Sequence, residues 1–448
     1  MERKYLCLAH MSGNEMKYIQ EAFDTNWVVP LGPNVNAFED ELKKFFKSKP
    51  NNADFSNEAY PKAIEPHYDN PDELWNEGYK ELDKKEIVAL CSGTSAIHLA
   101  LINLGVQAGD EVLCQSFTFC ASSHPVVYLG ATPVFIDSEK DTWNMSPELL
   151  EEAIKDRIEK TGKKPKAIIV VHLYGMPAKI KEIIEIAERY SIPIVEDAAE
   201  GLGSRYNGQV IGTFGEYGAI SFNGNKMITT SGGGALICPN ADAKNRIMFF
   251  ATQAREAFPY YQHEEIGYNY RLSNICAGIG RGQMTVLDEH IAHHKHLANL
   301  YKEGFKDVKG ITFHDNPNEE YDSNFWLNTI TLDKDLKVIG QENAYNEAIA
   351  GAVGGAAGVV HSTGKAHTDC EPNTNVEAMR IALDKLGIES RPLWKPMHLQ
   401  PVYKNSPAYI NGISEELFKT GLCLPSGPMI SVEDARFIIE SIKQSIIE

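Results

Sequence analysis

The sequence lacks the features of a membrane-spanning or secreted chain. It contains no run of the roughly 18 to 20 apolar residues that are needed to cross a bilayer. Its first residues, MERKYLCLAHMSGNE, do not include the unbroken apolar segment of a signal peptide. The 8 cysteines include no CxxC pair and no spacing typical of metal ligands, so we expect neither a disulfide framework nor a metal site. The sequence therefore predicts a cytoplasmic protein with reduced cysteines.

Positive charge is also scarce. The chain has 43 Lys and Arg residues against 61 Asp and Glu residues, which gives a formal net charge of −18. A surface of this sign repels nucleic acids and anionic membranes, so we expect neither as a partner. A phosphorylated small molecule is compatible with this charge, because the dipoles of a pocket can oppose the field of the whole molecule.

Two structural units are expected, since 448 residues exceed the size of one small domain. Between residues 86 and 240, short apolar runs alternate with helical patterns, as in EIVALC, TPVFID and IPIVED. These runs do not alternate apolar with polar residues, which is typical of parallel strands buried on both faces. The sequence thus predicts an α/β fold, with a large and mostly parallel sheet in residues 1–285.

The pattern changes after residue 285. A helical segment precedes a smaller region with one clear strand, FWLNTITL, and a terminal helix, SVEDARFIIESIKQSI. We predict that residues 286–448 form a second, smaller α+β unit. Two stretches without a clear period, at 48–85 and about 350–375, are expected to be insertions.

A turn of small residues, Ser92-Gly93-Thr94-Ser95, connects a predicted strand to a predicted helix. Free N–H groups and the helix dipole make such a turn suitable for a phosphate group, with the hydroxyls of Thr94 and Ser95 as additional donors. The same residues are common at helix N-caps that bind no ligand, and the spacing of a P-loop is missing. The turn by itself leaves both interpretations open.

Two acids, Glu196 and Asp197, end an apolar strand. Ligands of α/β proteins bind at the carboxyl edge of parallel strands, which is where these side chains are expected. An aspartate there can keep a pyridine nitrogen protonated, and the protonated ring makes pyridoxal phosphate an electron sink. Taken alone, Asp197 is more typical of a helix N-cap.

Lys226 lies between the strand-like GAISF and the glycines at 232–234. Most lysines are solvated at the surface, but an unprotonated lysine in a partly desolvated site forms a Schiff base with an aldehyde. The glycines allow the backbone to pass close to a ligand, and Ser221 is expected to reach a phosphate at the turn. The order of phosphate turn, acid and lysine favours a pyridoxal phosphate site.

The sequence contains five long, ordered motifs: SGTSAIHLAL, EDAAEGLGSRYNG, GTFGEYGAISFNGNKMITTSGGGAL, GYNYRLSN and RPLWKPMHLQPVY. In these motifs it resembles the DegT/StrS family of nucleotide-sugar aminotransferases. The resemblance extends from HMSGNE at residue 10 to CLPSG at 423–427, with the two insertions outside it. It implies the type I fold of aspartate aminotransferase, a homodimer, and pyridoxal phosphate as the cofactor.

The resemblance also implies roles for single residues. Lys226 would bind the cofactor aldehyde covalently and then carry protons, and Asp197 would pair with the pyridinium nitrogen. Glu200 lies where many members have glutamine or histidine near the phenolic oxygen, so its role is open. The other implied cofactor contacts are Phe119 against the ring, Thr94, Ser95 and Ser221 at the phosphate, and Asn269 at the phosphate of the neighbouring subunit.

The lysine at position 226 favours transamination, because the related sugar dehydratases have a histidine there. The implied reaction moves an amino group from glutamate to the C4 keto group of a nucleotide-linked 4-keto-6-deoxy sugar. The motifs most resemble bacterial enzymes that act on UDP-linked N-acetylhexosamines in glycan or exopolysaccharide synthesis. The implied substrate contacts are Asn26, Trp27, Arg391, Trp394, Lys395 and His398.

Several alternatives stay open at this point. RPLWKP is also compatible with a rigid turn that carries solvated cations. The enzyme could instead aminate the C3 position of a sugar, or act on an amino acid as another type I pyridoxal phosphate enzyme. A non-catalytic sensor is disfavoured, because no helix-turn-helix segment or basic recognition helix precedes the α/β region.

Overall fold

The structure, a computed structural model, describes residues 3–48, 82–344 and 370–447. Most of the two predicted insertions, at 48–85 and 350–375, lies outside these residues. The strands of the described chain are β1 (Glu86–Leu90), β2 (Glu111–Gln115), β3 (Thr132–Ile136), β4 (Ala167–Val171), β5 (Ile194–Asp197), β6 (Arg205–Tyr206), β7 (Gln209–Val210), β8 (Tyr217–Ser221), β9 (Gly234–Cys238), β10 (Ile311–Phe313), β11 (Tyr321–Asp322), β12 (Asn328–Leu332), β13 (Lys337–Val338), β14 (Arg391–Pro392), β15 (Ala408–Tyr409), β16 (Gly421–Leu424) and β17 (Ile446–Ile447).

The α-helices of the same residues are α1 (Glu15–Asp24), α2 (Pro33–Phe46), α3 (Gly93–Asn103), α4 (His124–Tyr128), α5 (Pro147–Thr161), α6 (Ile180–Tyr190), α7 (Ala241–Ala251), α8 (Asn274–Met284), α9 (Leu287–Phe305), α10 (Thr374–Lys385), α11 (Ile413–Thr420) and α12 (Val432–Ser445). Ser146 caps α5 with Pro147 in its first turn, as the sequence predicts. Among the helices of the described ranges, none combines the length and the apolar character that a membrane span requires.

Eight strands form the large sheet, in the order β1-β9-β8-β5-β4-β2-β3-β15. All neighbours from β8 to β15 are parallel, whereas β9 is antiparallel to both β8 and β1. The central strands are buried along nearly their whole length, which explains why they are apolar without alternation. The predicted α/β fold with a mostly parallel sheet is therefore confirmed.

Alternate residues of each central strand face two different apolar layers. In β4, Ile168 and Val170 pack into the layer that contains Phe38 of α2, while Ile169 packs into the layer that contains Leu99 of α3. Helices thus cover both faces of the sheet, and its carboxyl edge is left for the loops that follow the strands.

A smaller antiparallel sheet, in the order β10-β12-β16-β14, shares a third apolar core with α9, α10 and α12. It contains the predicted strand FWLNTITL as β12, and the predicted terminal helix is α12. β15 joins the large sheet, although the predicted division at residue 285 places it in the second unit. Thr374 begins α10, so the last two residues of the predicted 350–375 insertion are helical.

Candidate active site

The segment between β8 and β9 carries Lys226 at the edge of the large sheet. The Lys226 N–H donates to the carbonyl of Asn223 at 2.9 Å, which closes a turn. Its ammonium Nζ lies 3.3 Å from Oε1 of Glu200 and 4.0 Å from the ring centroid of Trp326. Only 13% of the lysine side chain is exposed. Lys226 is therefore a partly desolvated cation beside a carboxyl group and an indole, and not a solvated surface lysine.

Glu200 is the buried carboxyl partner of this lysine. Its Oε2 accepts a hydrogen bond from the Tyr174 N–H at 2.7 Å. Burial disfavours the charged form of Glu200 and raises its pKa to about 7, although Lys226 and the Tyr174 N–H act in the opposite direction. Glu200 can therefore gain or lose a proton near neutral pH, next to the lysine amine.

Asp197 is the last residue of β5, and its carboxylate is buried in the same region. Its Oδ2 accepts from the Ser122 hydroxyl at 2.6 Å, and its Oδ1 accepts from the Ala199 N–H at 3.2 Å. Residues 198–204 are all described and contain no helix, so the interpretation of Asp197 as a helix N-cap is wrong. The negative charge of Asp197 also acts to raise the pKa of Glu200, because it disfavours a second negative charge there.

The preceding residue, Glu196, has a different environment. Its carboxylate accepts three backbone N–H groups from residues 212–215, and its Oε2 lies 3.0 Å from Nε2 of His172. Burial acts to raise the pKa of Glu196, but the hydrogen bonds from His172 and the backbone outweigh it, and the pKa is lowered. Glu196 thus stabilises a loop of the fold, although the sequence placed it beside Asp197 as a second strand-end acid.

The turn at residues 92–95 begins α3. The Ser92 hydroxyl accepts from the Ser95 N–H at 3.1 Å, and the Ser95 hydroxyl donates to the Ser92 carbonyl at 2.7 Å. We expected Ser95 to offer its N–H and its hydroxyl to a phosphate, but both are used inside this capping box. The N–H groups of Gly93 and Thr94 have no carbonyl within the helix to bind, so they are the donors that the helix N-terminus offers to an anion.

Close packing brings β8 and β9 against this turn. The Cβ of Ser221, the last residue of β8, is 3.2 Å from the position that a Cβ on Gly93 would occupy. A Cβ on Gly234 would clash with the backbone of Ser92 and Gly93. The third glycine of the triplet therefore lets β9 approach the turn, whereas we expected it to adjoin a ligand. Ser221 adjoins the predicted phosphate site.

The donor and acceptor groups at this edge fit pyridoxal phosphate. The N-terminus of α3, together with Ser221, suits the phosphate group. The buried Asp197 carboxylate suits a protonated ring nitrogen. The partly desolvated Lys226 amine suits the aldehyde. These three groups come from segments that follow different strands, and their chemistry matches three separate parts of one molecule.

Aromatic side chains form one wall of the site. Phe119 is 55% exposed, and its ring centroid lies 5.5 Å from that of Trp394. The Trp394 ring lies 5.2 Å from that of Tyr174 and 6.4 Å from that of Trp326. The Trp394 N–H donates to the Tyr174 hydroxyl at 2.9 Å. The structure thus brings two predicted site residues, Phe119 and Trp394, next to the Lys226 cluster.

The other predicted substrate contacts near Trp394 have polar partners within the chain. A ligand that binds them has to compete with these partners or share them. The pairs are Arg391 with the Glu389 carboxylate at 2.8 Å, Lys395 with the carbonyl of Cys370 at 2.8 Å, and His398 with the Ser116 hydroxyl at 2.6 Å.

The remaining predicted contacts are Asn26, Trp27 and Asn269. Asn26 has a φ of 58°, a left-handed conformation that asparagine tolerates, at the end of α1. The carbonyl of Trp27 accepts from the Asn274 side chain at 2.9 Å. Asn269 is exposed. In the part of the chain that the structure describes, none of the three forms a hydrogen bond with Lys226. The predicted role of Asn269 concerns the neighbouring subunit and stays a prediction.

The sequence did not indicate Trp326, Tyr174 or Ser122 as site residues. Trp326 belongs to FWLNTITL, which we interpreted only as a strand. The available signal was the pair of adjacent aromatic residues, Phe325 and Trp326, at the start of this segment. Tyr174 and Ser122 hydrogen-bond to Glu200 and Asp197 from distant positions in the chain. Such contacts leave no local pattern in the sequence.

Comparisons with known proteins agree with this site. The model of the DegT/DnrJ/EryC1/StrS aminotransferase family matches residues 76–355 and 355–443. EpsN of Bacillus subtilis strain 168, named as a pyridoxal phosphate-dependent aminotransferase, is 41% identical over 443 residues, which cover 97% of this chain and 94% of EpsN. GDP-perosamine synthase of Escherichia coli O157:H7 is 30% identical over 434 residues, which cover 97% of this chain and 96% of that protein.

A solved structure is similar over almost the whole chain. The crystal structure of a DegT DnrJ EryC1 StrS aminotransferase from Brucella abortus is 25% identical, with a TM-score of 0.75, and the match covers 96% of this chain and 95% of that one. The expected type I fold, the expected cofactor and the expected enzyme class are confirmed. The chain belongs to the DegT/DnrJ/EryC1/StrS aminotransferase family, and it is a pyridoxal phosphate-dependent enzyme of the sugar aminotransferase class.

Proposed function

We propose that the chain transfers the amino group of glutamate to the C4 keto group of a UDP-linked 4-keto-6-deoxy-N-acetylhexosamine. The product would enter glycan or exopolysaccharide synthesis. The observation that carries the proposal is the Lys226 ammonium 3.3 Å from the buried Glu200, in a site that also contains Asp197. When bound, pyridoxal phosphate supplies an electron sink that makes a proton on the reacting carbon acidic. The chain has to supply the group that moves this proton.

Lys226 takes up and returns the proton at Nζ. It acts as a base only when its amine is neutral. Glu200 is the carboxyl group next to this nitrogen, with its Oε1 at 3.3 Å from Nζ. Since the pKa of Glu200 is raised to about 7 by burial, Glu200 changes charge near neutral pH. The pair is therefore suited to proton transfer under neutral conditions.

The aromatic wall supports a sugar-nucleotide substrate. The faces of Phe119 and Trp394 suit a sugar ring or a base, and the exposed Arg391 suits a pyrophosphate. The name of the Escherichia coli relative gives a GDP-linked product, and the name of EpsN gives no sugar. The choice of UDP and of C4 rests on the resemblance of NWVVPLGPNV, QSFTF and RPLWKPMHLQP to enzymes of that specificity.

We also propose a homodimer in which the exposed Asn269 reaches the cofactor phosphate of the neighbouring subunit. Each site would then need both subunits. Sedimentation velocity gives the mass of the assembly. An active monomer would contradict this arrangement, while weaker cofactor retention by Asn269→Ala in an intact dimer would support it.

The function is tested with the purified holoenzyme in two steps. Glutamate alone should change the visible spectrum of the cofactor and release 2-oxoglutarate in one equivalent per site. A panel of UDP-, GDP- and dTDP-linked 4-keto and 3-keto sugars is then added, and NMR of the amino sugar gives the carrier, the carbon and the stereochemistry. An amine at C3 would support the C3 alternative. If neither glutamate nor glutamine reacts in the first step, the proposed amino transfer is wrong.

A further inference from the structure

Helix α9 places two histidines behind the Lys226 turn. His290 and His294 are one helical turn apart, so they lie on the same face of α9, and both are buried. The Nδ1 atom of each lies within hydrogen-bond distance of a backbone carbonyl oxygen. A carbonyl oxygen only accepts, so the proton of each ring lies on Nδ1.

His290 contacts the residue that follows the lysine. Its Nδ1 lies 3.2 Å from the carbonyl oxygen of Met227. The Nε2 of His290 is then an acceptor, and it lies 3.2 Å from Nδ1 of His10. A chain of hydrogen bonds therefore connects the N-terminal segment to the backbone directly after Lys226.

His294 contacts Phe325, the residue before Trp326. Its Nδ1 lies 3.1 Å from the carbonyl oxygen of Phe325. Phe325 has a φ of 50°, a left-handed conformation that is unfavourable for phenylalanine. The hydrogen bond from a fully buried side chain stabilises this strained backbone. The strained residue in turn sets the direction in which the next residue, Trp326, leaves the backbone.

Trp326 is held on the lysine turn from its other side as well. Its indole Nε1 donates to the carbonyl of Asn225 at 2.6 Å, and its backbone N–H donates to Oδ1 of Asn324 at 2.8 Å. Its ring centroid is 4.0 Å from the ammonium of Lys226. The residues on both sides of Lys226 are therefore tied to the tryptophan or to α9.

We propose that His290 and His294 are positioning residues, which hold Lys226 against Trp326 through the carbonyls of Met227 and Phe325. The proposal rests on the proposed function in that Lys226 must be the residue that binds the cofactor and moves protons. An indole face stabilises a nearby cation. The two histidines therefore help to keep Nζ at 4.0 Å from the centroid of the indole ring.

The two histidines keep their tautomers over the neutral range. Burial lowers the pKa of His290 to about 4 and that of His294 to about 3, so both rings are neutral there. The carboxyl of Glu200 and the thiol of Cys7 both act electrostatically with Lys226. Burial raises the pKa of Cys7 to about 12, so Glu200 is the one of these two that changes charge near neutral pH.

Three variants of the holoenzyme test the role of His294. His294→Leu removes the donor, whereas His294→Asn keeps an amide N–H near the position of Nδ1. His293→Leu is the matched control, because His293 is buried on the same helix and its Nε2 lies 2.9 Å from the carbonyl of Ile430. His294→Leu should fold, since the buried Nε2 of His294 has no partner among the described residues and leucine removes that unpaired atom too.

The main measurement is the pH midpoint of the visible absorption band of the bound cofactor, without substrate. His294→Leu should lower this midpoint by about 0.5 to 1 pH unit, because a cation displaced from an indole face releases its proton more easily. Trp326→Leu and His290→Leu should shift it in the same direction. His294→Asn and His293→Leu should stay within about 0.2 pH units of the wild type.

The half-reaction with glutamate gives a second readout. His294→Leu should lower the limiting rate constant of this single turnover about 10-fold and change the half-saturating glutamate concentration less than about two-fold, because the lysine is displaced and the substrate contacts are kept. Thermal unfolding should show a similar loss of stability in His294→Leu and His293→Leu. The spectroscopic shift and the slower half-reaction should then appear in His294→Leu and not in His293→Leu.

Two results would overturn the positioning role. One is a folded His294→Leu protein with the wild-type midpoint, and the other is an equal shift in His293→Leu, which would indicate a general loosening of α9. The proposed function fails in a different way. A visible band that survives Lys226→Ala contradicts it. A band that depends on Lys226, but whose pH midpoint does not change in His294→Leu, contradicts only the positioning role.

Discussion

Glu196 and Glu200 are two buried carboxyl groups, four residues apart, with opposite electrostatic properties. Glu196 accepts three backbone N–H groups from residues 212–215 and lies 3.0 Å from Nε2 of His172. These hydrogen bonds outweigh burial and lower its pKa. Glu200 accepts one backbone N–H, from Tyr174, and lies 3.3 Å from Lys226. Burial dominates there and raises its pKa to about 7.

The number of donors separates a carboxylate that supports the fold from a carboxyl group that can react. Three backbone N–H groups and His172 favour the charged form of Glu196, and they hold its pKa below the usual value. A buried carboxyl group with few donors beside an amine titrates near neutral pH, which is typical of catalytic sites. Asp197 accepts from one hydroxyl and one backbone N–H.

The largest expected effect comes from Lys226→Ala, which removes the cation that distinguishes the site of Glu200 from that of Glu196. The amine is also the group to which we assign proton transfer. Release of 2-oxoglutarate from glutamate should therefore fall at least about 1,000-fold. Circular dichroism should show an unchanged fold. Turnover within about ten-fold of the wild type would contradict the role of Lys226.

Glu196→Gln should have the largest effect on stability. The amide NH₂ would face the N–H groups of residues 212–215, so buried donors would lose their acceptor. We expect the free energy of unfolding to fall by about 3 to 5 kcal/mol, measured by urea denaturation. Glu200→Gln is the matched control, with the same change at a buried carboxyl group, and should lose less than about 1 kcal/mol at pH 8. Equal losses would remove the distinction between the two sites.

Glu200→Gln should change the pH dependence of stability in the cofactor-free protein. Between its usual pKa of 4.5 and the raised value of about 7, folded Glu200 keeps a proton that the unfolded chain has released. The free energy of unfolding therefore falls as the pH rises through this window. The shift of about 2.5 pKa units corresponds to roughly 3 kcal/mol. Urea titrations from pH 4 to 8 should show this contribution in the wild type and its loss in the variant; parallel curves would contradict it.

Ser122→Ala, which changes the surroundings of Asp197, should have the smallest effect. It removes one of the two donors to Asp197, the hydroxyl at 2.6 Å, and leaves the Ala199 N–H. We expect the Kd for pyridoxal phosphate to rise about 3- to 10-fold, because the carboxylate that we predict to face the ring nitrogen would be less well oriented. Ser123→Ala is the control, since that hydroxyl bonds to Tyr403 instead. An unchanged Kd would show that Ser122 does not orient Asp197 for the cofactor.

Much of the fold could be predicted from local patterns. The continuous apolar runs indicated strands buried on both faces, and Ser146-Pro147 indicated where α5 begins. The position of β15 could not be predicted, because two residues carry no period and their pairing with β3 joins positions more than 270 residues apart. Long-range pairing of this kind depends on the whole fold.

The site was predictable where its residues belong to ordered motifs. Lys226, Asp197 and the turn at 92–95 follow strands whose carboxyl ends share one edge of the sheet, so their proximity follows from the α/β pattern. The capping role of Ser95 was not predictable, because a serine in that turn can serve the helix or a ligand equally well. Trp326 was missed because it reaches Lys226 across 100 residues of chain.

The residues alone therefore established the class of fold and the chemical groups available: an anion-binding turn, a strand-end acid and a lysine, in the order that suits one cofactor. Tertiary structure decided how each group behaves. It made Glu196 a fully hydrogen-bonded anion and Glu200 a group that titrates near pH 7, and it placed an indole on Lys226. The physical reason is that periodicity is a local property of the chain, whereas a pKa depends on burial and on donors that arrive from distant segments.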